Sequence, residues 1–136
     1  METQLPVERT LTQLDYVRLT RLALLADRHA SGAVQALLEN SDLVTSAAVP
    51  STVITMYSQL LLQGDAATAP HKVTLCYPED AKPSHGFISV LSPLGASLLG
   101  LRVGDVARWR TPSGEERTTR VLEVLFQPEA SGDYTT

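Results

Sequence analysis

Residues 92–105 read SPLGASLLGLRVGD, and this stretch says most about how the chain folds. Ser92 is suited to cap a helix with its hydroxyl group, and Pro93 fits the first helical position, where no backbone N–H is needed. Gly100 is expected to close the helix in the left-handed conformation that glycine tolerates. The stretch therefore predicts one short helix with a defined start and a defined end.

The segments on both sides of this helix have the composition of short β-strands. Five segments are rich in β-branched and aromatic residues or alternate apolar with polar side chains: 53–57, 71–77, 87–91, 106–110 and 117–126. The last two flank the turn sequence TPSG and are expected to pair as an antiparallel hairpin. Several short strands with one small helix predict a curled antiparallel sheet covered on one face.

Residues 9–48 have the apolar periodicity of helices instead. The first apolar stripe is interrupted by Arg18 and Arg21, and a second stripe follows a break at 29–32 (HASG). The members of the first stripe are Leu11, Leu14, Val17, Leu22 and Leu25. Two helices joined by so short a link are expected to lie antiparallel and to bury their apolar stripes against each other.

Local signals place the ends of these helices. Thr10 followed by Gln13 predicts a capping box, with a first helix from about Leu11 to Asp27. Pro50 is expected to end the second helix, because the residue before a proline is pushed out of the helical region. The predicted fold class is α+β: a short N-terminal antiparallel helical hairpin over residues 1–48, then a β-rich domain over 49–136.

Composition and missing motifs exclude several function classes. The net charge of −4 disfavours autonomous nucleic-acid binding, since phosphate backbones attract basic surfaces. The single cysteine, Cys76, allows no internal disulfide and fits a reducing cytoplasm. We expect no signal peptide, no membrane span, no cofactor and no metal site, because the corresponding apolar runs, phosphate-binding loops and His/Cys clusters do not occur.

The stretch 92–105 resembles the C-terminal domain of the GreA and GreB transcription factors, which has an FKBP-like fold. Residues 53–56, 77–78 and 126–134 are similar to a branch of that family whose members are named for regulating nucleoside diphosphate kinase. The resemblance implies a cytoplasmic regulator that binds RNA polymerase near its secondary channel. It also implies a link to nucleoside diphosphate kinase, either by direct contact or through transcription.

The resemblance also suggests site residues. In the Gre domain the Ser-Pro pair lies at the polymerase-docking surface, which would make Ser92 and Pro93 partner-binding residues here. Helix capping alone also explains both residues, so the two interpretations stay open.

Gre factors stimulate transcript cleavage with acidic residues at the tip of a long helical hairpin, which help to hold a metal ion. Here the predicted tip carries one carboxylate, Asp27, beside Arg28, and a hard cation usually needs more than one such ligand. About 17 helical residues would reach only about 25 Å. We therefore predict a polymerase-binding protein that does not stimulate cleavage, with Asp27 mainly a solvated surface charge.

Two other function classes remain open from the sequence. The FKBP-like fold suggests a peptidyl-prolyl isomerase, although fold does not carry function and such enzymes use an aromatic-lined pocket. Aromatic residues make up 5% of this chain, which disfavours an isomerase. The other class is an adaptor that binds nucleoside diphosphate kinase directly.

Overall fold

A computed structural model describes residues 9–26, 28–64 and 69–132 of the chain. The elements, in chain order, are β1 (Arg9–Thr12), α1 (Gln13–Leu25), α2 (Arg28–Asn40), β2 (Ser41–Val44), β3 (Gln59–Gln63), β4 (His71–Cys76), β5 (Phe87–Ser89), α3 (Pro93–Leu98), β6 (Val106–Arg110) and β7 (Glu116–Phe126). The N-terminal helices and the separate sheet confirm the predicted α+β class.

Five strands form the main sheet, in the order β5-β4-β3-β7-β6. β6 and β7 pair antiparallel around the predicted turn, with Trp109 opposite Arg117. Register shifts between β3 and β7 mark irregularities in the ladder, which increase local twist and help the sheet to curl. The sheet is not antiparallel throughout, as was expected, because β5 pairs with β4 in the parallel sense.

The boundaries of the N-terminal helices differ from those predicted. Thr12, not Thr10, caps α1: its side-chain oxygen accepts a hydrogen bond from the Asp15 N–H. Thr10 lies in β1 and donates its backbone N–H to the carbonyl of Gly100. α2 ends at Asn40, and the next four residues form β2, which pairs parallel with β1. The predicted capping box and the extension of the second helix towards Pro50 are therefore wrong, because interstrand pairing takes up these backbone groups.

The segment 53–57, predicted as a strand, is an irregular link. Ile54 donates its N–H to the carbonyl of Leu101 and accepts the N–H of Gly100. Gly100 has φ +85, the left-handed conformation predicted for it, and an added Cβ there would lie 3.1 Å from the Thr10 carbonyl oxygen. The strand begins only at Gln59, in a leucine-rich stretch with no β-branched residue to mark it.

One hydrophobic cluster runs through both parts of the chain. It joins Leu11 and Leu19 of the N-terminal part to Ile54, Met56 and Leu98 of the remainder, all at most 1% exposed. The division of the chain into units at residues 48 and 49 stays a prediction. The shared cluster means that hairpin and sheet bury apolar surface together.

The face of α1 that enters this cluster differs from the predicted one. The buried residues of α1 are Asp15, Leu19 and Ala23, which follow one another at intervals of four. Val17 and Leu25, both in the predicted stripe, are 56% and 82% exposed. The prediction that the whole stripe is buried against α2 is wrong for these residues. β1 and the Asp15 side chain instead set the rotation of the helix.

Candidate docking site at the start of helix α3

Helix α3 begins as predicted, with Ser92 as its cap. The Ser92 hydroxyl accepts a hydrogen bond from the Gly95 N–H at 3.1 Å and donates one to the Ser89 carbonyl at 2.6 Å. Ser92 also donates its backbone N–H to the same carbonyl at 3.0 Å. The cap thus ties the start of α3 to the end of β5.

Gly95 allows this close approach of helix and strand. A Cβ atom at this position would lie 2.0 Å from the carbonyl oxygen of Ser89, far inside any real contact. Only glycine fits without moving the backbone, which gives the fourth residue of the SPLG motif a physical reason.

Pro93 is the exposed residue of this helix start. Leu94 is half-buried, and the next four residues are buried. Leu98 and Leu99 lie in the core, with no exposed surface. The position of the proline ring is therefore well defined. Residues 95–98 after it are buried, and the hydroxyl of Ser92 before it is hydrogen-bonded to both Ser89 and Gly95.

The other end of α3 is held by the N-terminal part of the chain. The Arg9 guanidinium donates hydrogen bonds to the carbonyls of Ala96 and Leu99, at 3.2 and 2.9 Å. Burial lowers the pKa of Arg9, although the nearby Asp105 counteracts the shift. A cation at the carbonyl end of a helix is a favourable arrangement.

Sequence reasoning missed a buried carboxylate that joins the hairpin to the sheet domain. Asp15 is 0% exposed, and its Oδ2 accepts a hydrogen bond from the Met56 N–H at 3.2 Å. Its Oδ1 has no hydrogen-bond partner among the described residues. Burial raises the pKa of Asp15 to about 6, against the lowering effect of the Met56 bond, and the nearby Glu129 raises it further. The only sequence signal was an acidic residue three positions after a capping threonine.

The C-terminal tail of the domain is hydrogen-bonded to residues 50–55, a stretch that includes the first residues of the irregular link. The Gln127 amide nitrogen donates hydrogen bonds to the carbonyls of Pro50 and Val53, both at 2.8 Å. Glu129 is buried and accepts a hydrogen bond from the Thr55 hydroxyl at 2.7 Å. These polar tail residues, which the sequence marked only through a family resemblance, therefore support the loop beside Asp15.

Two more residues named in the sequence predictions are Asp27 and the single cysteine, Cys76. Asp27 lies outside the described residues. Cys76 is buried and donates its thiol to the Ile88 carbonyl at 3.4 Å, which fits a packed thiol. Over the described ranges, no three His, Cys, Asp or Glu side chains are grouped to hold a metal ion. Among the helices described, none is long and apolar enough to cross a membrane.

Comparison with known proteins agrees with this arrangement. Residues 49–126 match the family described as Transcription elongation factor, GreA/GreB, C-term. The Regulator of nucleoside diphosphate kinase of Escherichia coli is 38% identical over 102 residues, which cover 75% of each chain. Transcription elongation factor GreA of Solidesulfovibrio magneticus is 42% identical over 62 residues, which cover 46% of this chain and 38% of that protein.

A solved structure has the same overall arrangement. It is described as a prokaryotic transcription elongation factor GreA/GreB from Nitrosomonas europaea and superposes with a TM-score of 0.74 at 30% identity. The match covers 89% of this chain and all of that one, so it includes most of the N-terminal part as well as the sheet.

Proposed function

Because this chain belongs to the GreA/GreB C-terminal family, and within it is related to the Regulator of nucleoside diphosphate kinase, we propose that it is a non-catalytic regulator that binds RNA polymerase. It would act in the cytoplasm and dock near the secondary channel. Two proposed units would share this work: the domain over 49–136 provides the docking surface, and the hairpin over 1–48 extends from it.

The observation that carries this proposal is that Pro93 is exposed at the start of a helix whose position is fixed by its neighbours. The Ser92 cap, the Gly95 contact and the Arg9 side chain hold α3 at both ends. A rigid apolar ring suits recognition by another protein, since little conformational freedom is lost when it is covered.

The hairpin supports binding without cleavage. α1 and α2 have 13 residues each, which corresponds to about 20 Å of helix. The acidic residues of the described hairpin helices are Asp15, which is buried, and Glu39, which lies near the end of α2. Over the described residues, neither belongs to a group of acidic side chains that could hold a metal ion, and cleavage chemistry needs converging carboxylates.

We therefore expect the purified protein to bind RNA polymerase and to leave stalled transcripts intact. The measurement is polymerase affinity by biolayer interferometry, together with gel analysis of RNA in arrested elongation complexes with Mg²⁺ present. A Gre factor in the same assay is the positive control. Shortened transcripts that depend on the added protein would contradict the second half of the expectation, and no measurable binding would contradict the first.

Pro93→Glu is expected to weaken polymerase binding by about tenfold or more without changing the melting temperature, because the first helical position tolerates most residues. Pro83→Glu is the matched control, since Pro83 is also exposed and begins a short 3₁₀ helix, Pro83–His85. The measurements are the polymerase affinity and the melting temperature of both variants, which separate lost binding from lost stability. Equal affinity of the Pro93 variant and the parent would place the docking surface elsewhere.

The link to nucleoside diphosphate kinase is part of the proposal through the name of the Escherichia coli relative. We propose that it acts through transcription. Nucleoside diphosphate kinase captured from extract by the immobilised protein, in the absence of polymerase, would favour the adaptor function instead.

A further inference from the structure

A groove runs along α1, between this helix and the residues that follow β4. Its volume is about 820 Å³, and one wall carries Leu14, Val17, Leu22 and Leu25. These residues belong to the apolar stripe predicted from the sequence to be buried in the hairpin. Val17 and Leu25 remain more than half exposed, although the helix is packed on its opposite face. An apolar helix face left open in a folded chain indicates an interaction surface.

The opposite wall is formed by two tyrosines and the turn after β4. The Tyr57 and Tyr77 rings contact each other with centroids 5.7 Å apart and an angle of 60° between their planes. Tyr57 has φ +65, a left-handed conformation that is uncommon for a residue with a side chain. Its N–H donates to the Leu75 carbonyl at 2.6 Å, and its hydroxyl donates to the Asp80 carboxylate. This wall is therefore held in place before any partner binds.

The charges along the groove are unevenly distributed. Arg18 and Arg21 lie on the α1 wall within the apolar stripe, one helical turn apart. Burial raises the pKa of the Tyr77 hydroxyl, and the positive charge of Arg18, which lies near that hydroxyl, counteracts the rise. Glu79 is the acidic residue of the lining and lies on the tyrosine wall. The helix wall is thus apolar and cationic, although the chain as a whole has a net charge of −4.

We propose that this groove binds an amphipathic helix of a partner protein that carries acidic residues beside its apolar stripe. Apolar side chains at helical spacing would cover Val17 and Leu25, and the partner's carboxylates would lie against Arg18 and Arg21. The groove lining includes neither Ser92 nor Pro93, so this surface is distinct from the docking site proposed above and does not depend on polymerase binding.

The charge pattern disfavours other occupants. If a second copy of this chain inserted its own α1, its arginines would face Arg18 and Arg21, and like charges at close range repel. A nucleic acid would find two arginines among mainly aliphatic side chains on an acidic protein, which is a poor surface for phosphates. A helix with apolar and acidic residues complements both the aliphatic side chains of the α1 wall and its two arginines.

The test measures binding of fluorescein-labelled peptides to the full chain by fluorescence anisotropy. The probes are a small panel of helical peptides about four turns long, with leucines at helical spacing and glutamates beside them, and the same peptides with lysine in place of glutamate. We expect the acidic peptides to bind and the lysine peptides to bind at least about tenfold more weakly. Added salt should reduce the difference.

Adjacent leucines provide a matched pair of variants. Leu25 lines the groove and is 82% exposed, whereas Leu24 is 81% exposed and does not line it. Leu25→Ser should lower the affinity for the acidic peptide by about tenfold. Leu24→Ser should change this affinity by less than about twofold. Arg21→Glu should lower the affinity for the acidic peptide and raise the affinity for the lysine peptide.

Four results with peptides or RNA would overturn the proposal. These are no binding of the acidic peptides, equal binding of both charge types, equal effects of Leu24→Ser and Leu25→Ser, and tighter binding of a single-stranded RNA that also requires Arg21. Sedimentation provides the last check: self-association of the parent chain that is lost in the Leu25→Ser variant would assign the groove to a second copy.

Discussion

Asp15→Asn is expected to remove a pH dependence of about 3 kcal/mol from the free energy of unfolding. The folded chain raises the pKa of Asp15 from 3.8 to about 6. Between these values the folded state keeps a proton that the unfolded state has released, so raising the pH favours unfolding. The difference of about two pKa units corresponds to about 3 kcal/mol.

The sign of this effect is opposite to that of an ordinary surface carboxylate in an ion pair. The contribution of Asp15 to stability is greatest below pH 4, falls as the pH rises towards 6, and then stays constant. The cause is desolvation, because Asp15 is 0% exposed and only its Oδ2 has a hydrogen-bond partner among the described residues.

Urea denaturation from pH 3.5 to 7.5 measures this effect as the difference between the parent and Asp15→Asn. Asparagine keeps an oxygen that can accept the Met56 N–H and cannot titrate. Glu39→Gln is the control, since Glu39 is an exposed acid of α2, and this variant should follow the parent. Parallel pH profiles for the parent and Asp15→Asn would show that the carboxylate is not desolvated.

Gly95→Ala is expected to destabilise the fold by at least about 3 kcal/mol. The new methyl group would lie 2.0 Å from the Ser89 carbonyl oxygen and 2.8 Å from its carbon, so α3 and β5 would have to separate. Separation would also break the Ser92 hydrogen bonds that hold the exposed Pro93. We expect a lower melting temperature and, at temperatures where the variant is still folded, weaker polymerase binding.

Gly32→Ala is the matched control for this substitution. Gly32 lies within α2, and an added Cβ there meets nothing within 4 Å. Alanine should stabilise the helix by about 0.5–1 kcal/mol relative to glycine. Thermal and urea unfolding of both variants give the comparison. If Gly95→Ala melts with the parent, the close approach of α3 to β5 is not a constraint.

The sequence determined the elements whose signals are local. The start of α3 depends on Ser92 and Pro93, its end depends on Gly100, and the hairpin of β6 and β7 depends on the turn between them. Each of these features is decided by hydrogen bonds or backbone angles within a few residues, so residue order is enough to predict it. The family resemblance rested on the same stretch, 92–105, and the comparisons confirmed it.

Only the tertiary structure decided which face of α1 is buried. Its periodicity favoured the stripe through Val17 and Leu25, because those residues are apolar and Asp15 is not. The buried face nevertheless contains Asp15, since the Met56 N–H, 41 residues away in sequence, provides a hydrogen bond for the carboxylate. Likewise, residues 53–57 are β-branched and aromatic, yet Ile54 pairs with Gly100 and Leu101 after α3, and the strand β3 begins only at Gln59. Residue order alone does not specify hydrogen-bond partners so far apart in the chain. The Met56 N–H allows the Asp15 carboxylate to be buried, and the rotation of α1 that results leaves Val17 and Leu25 exposed.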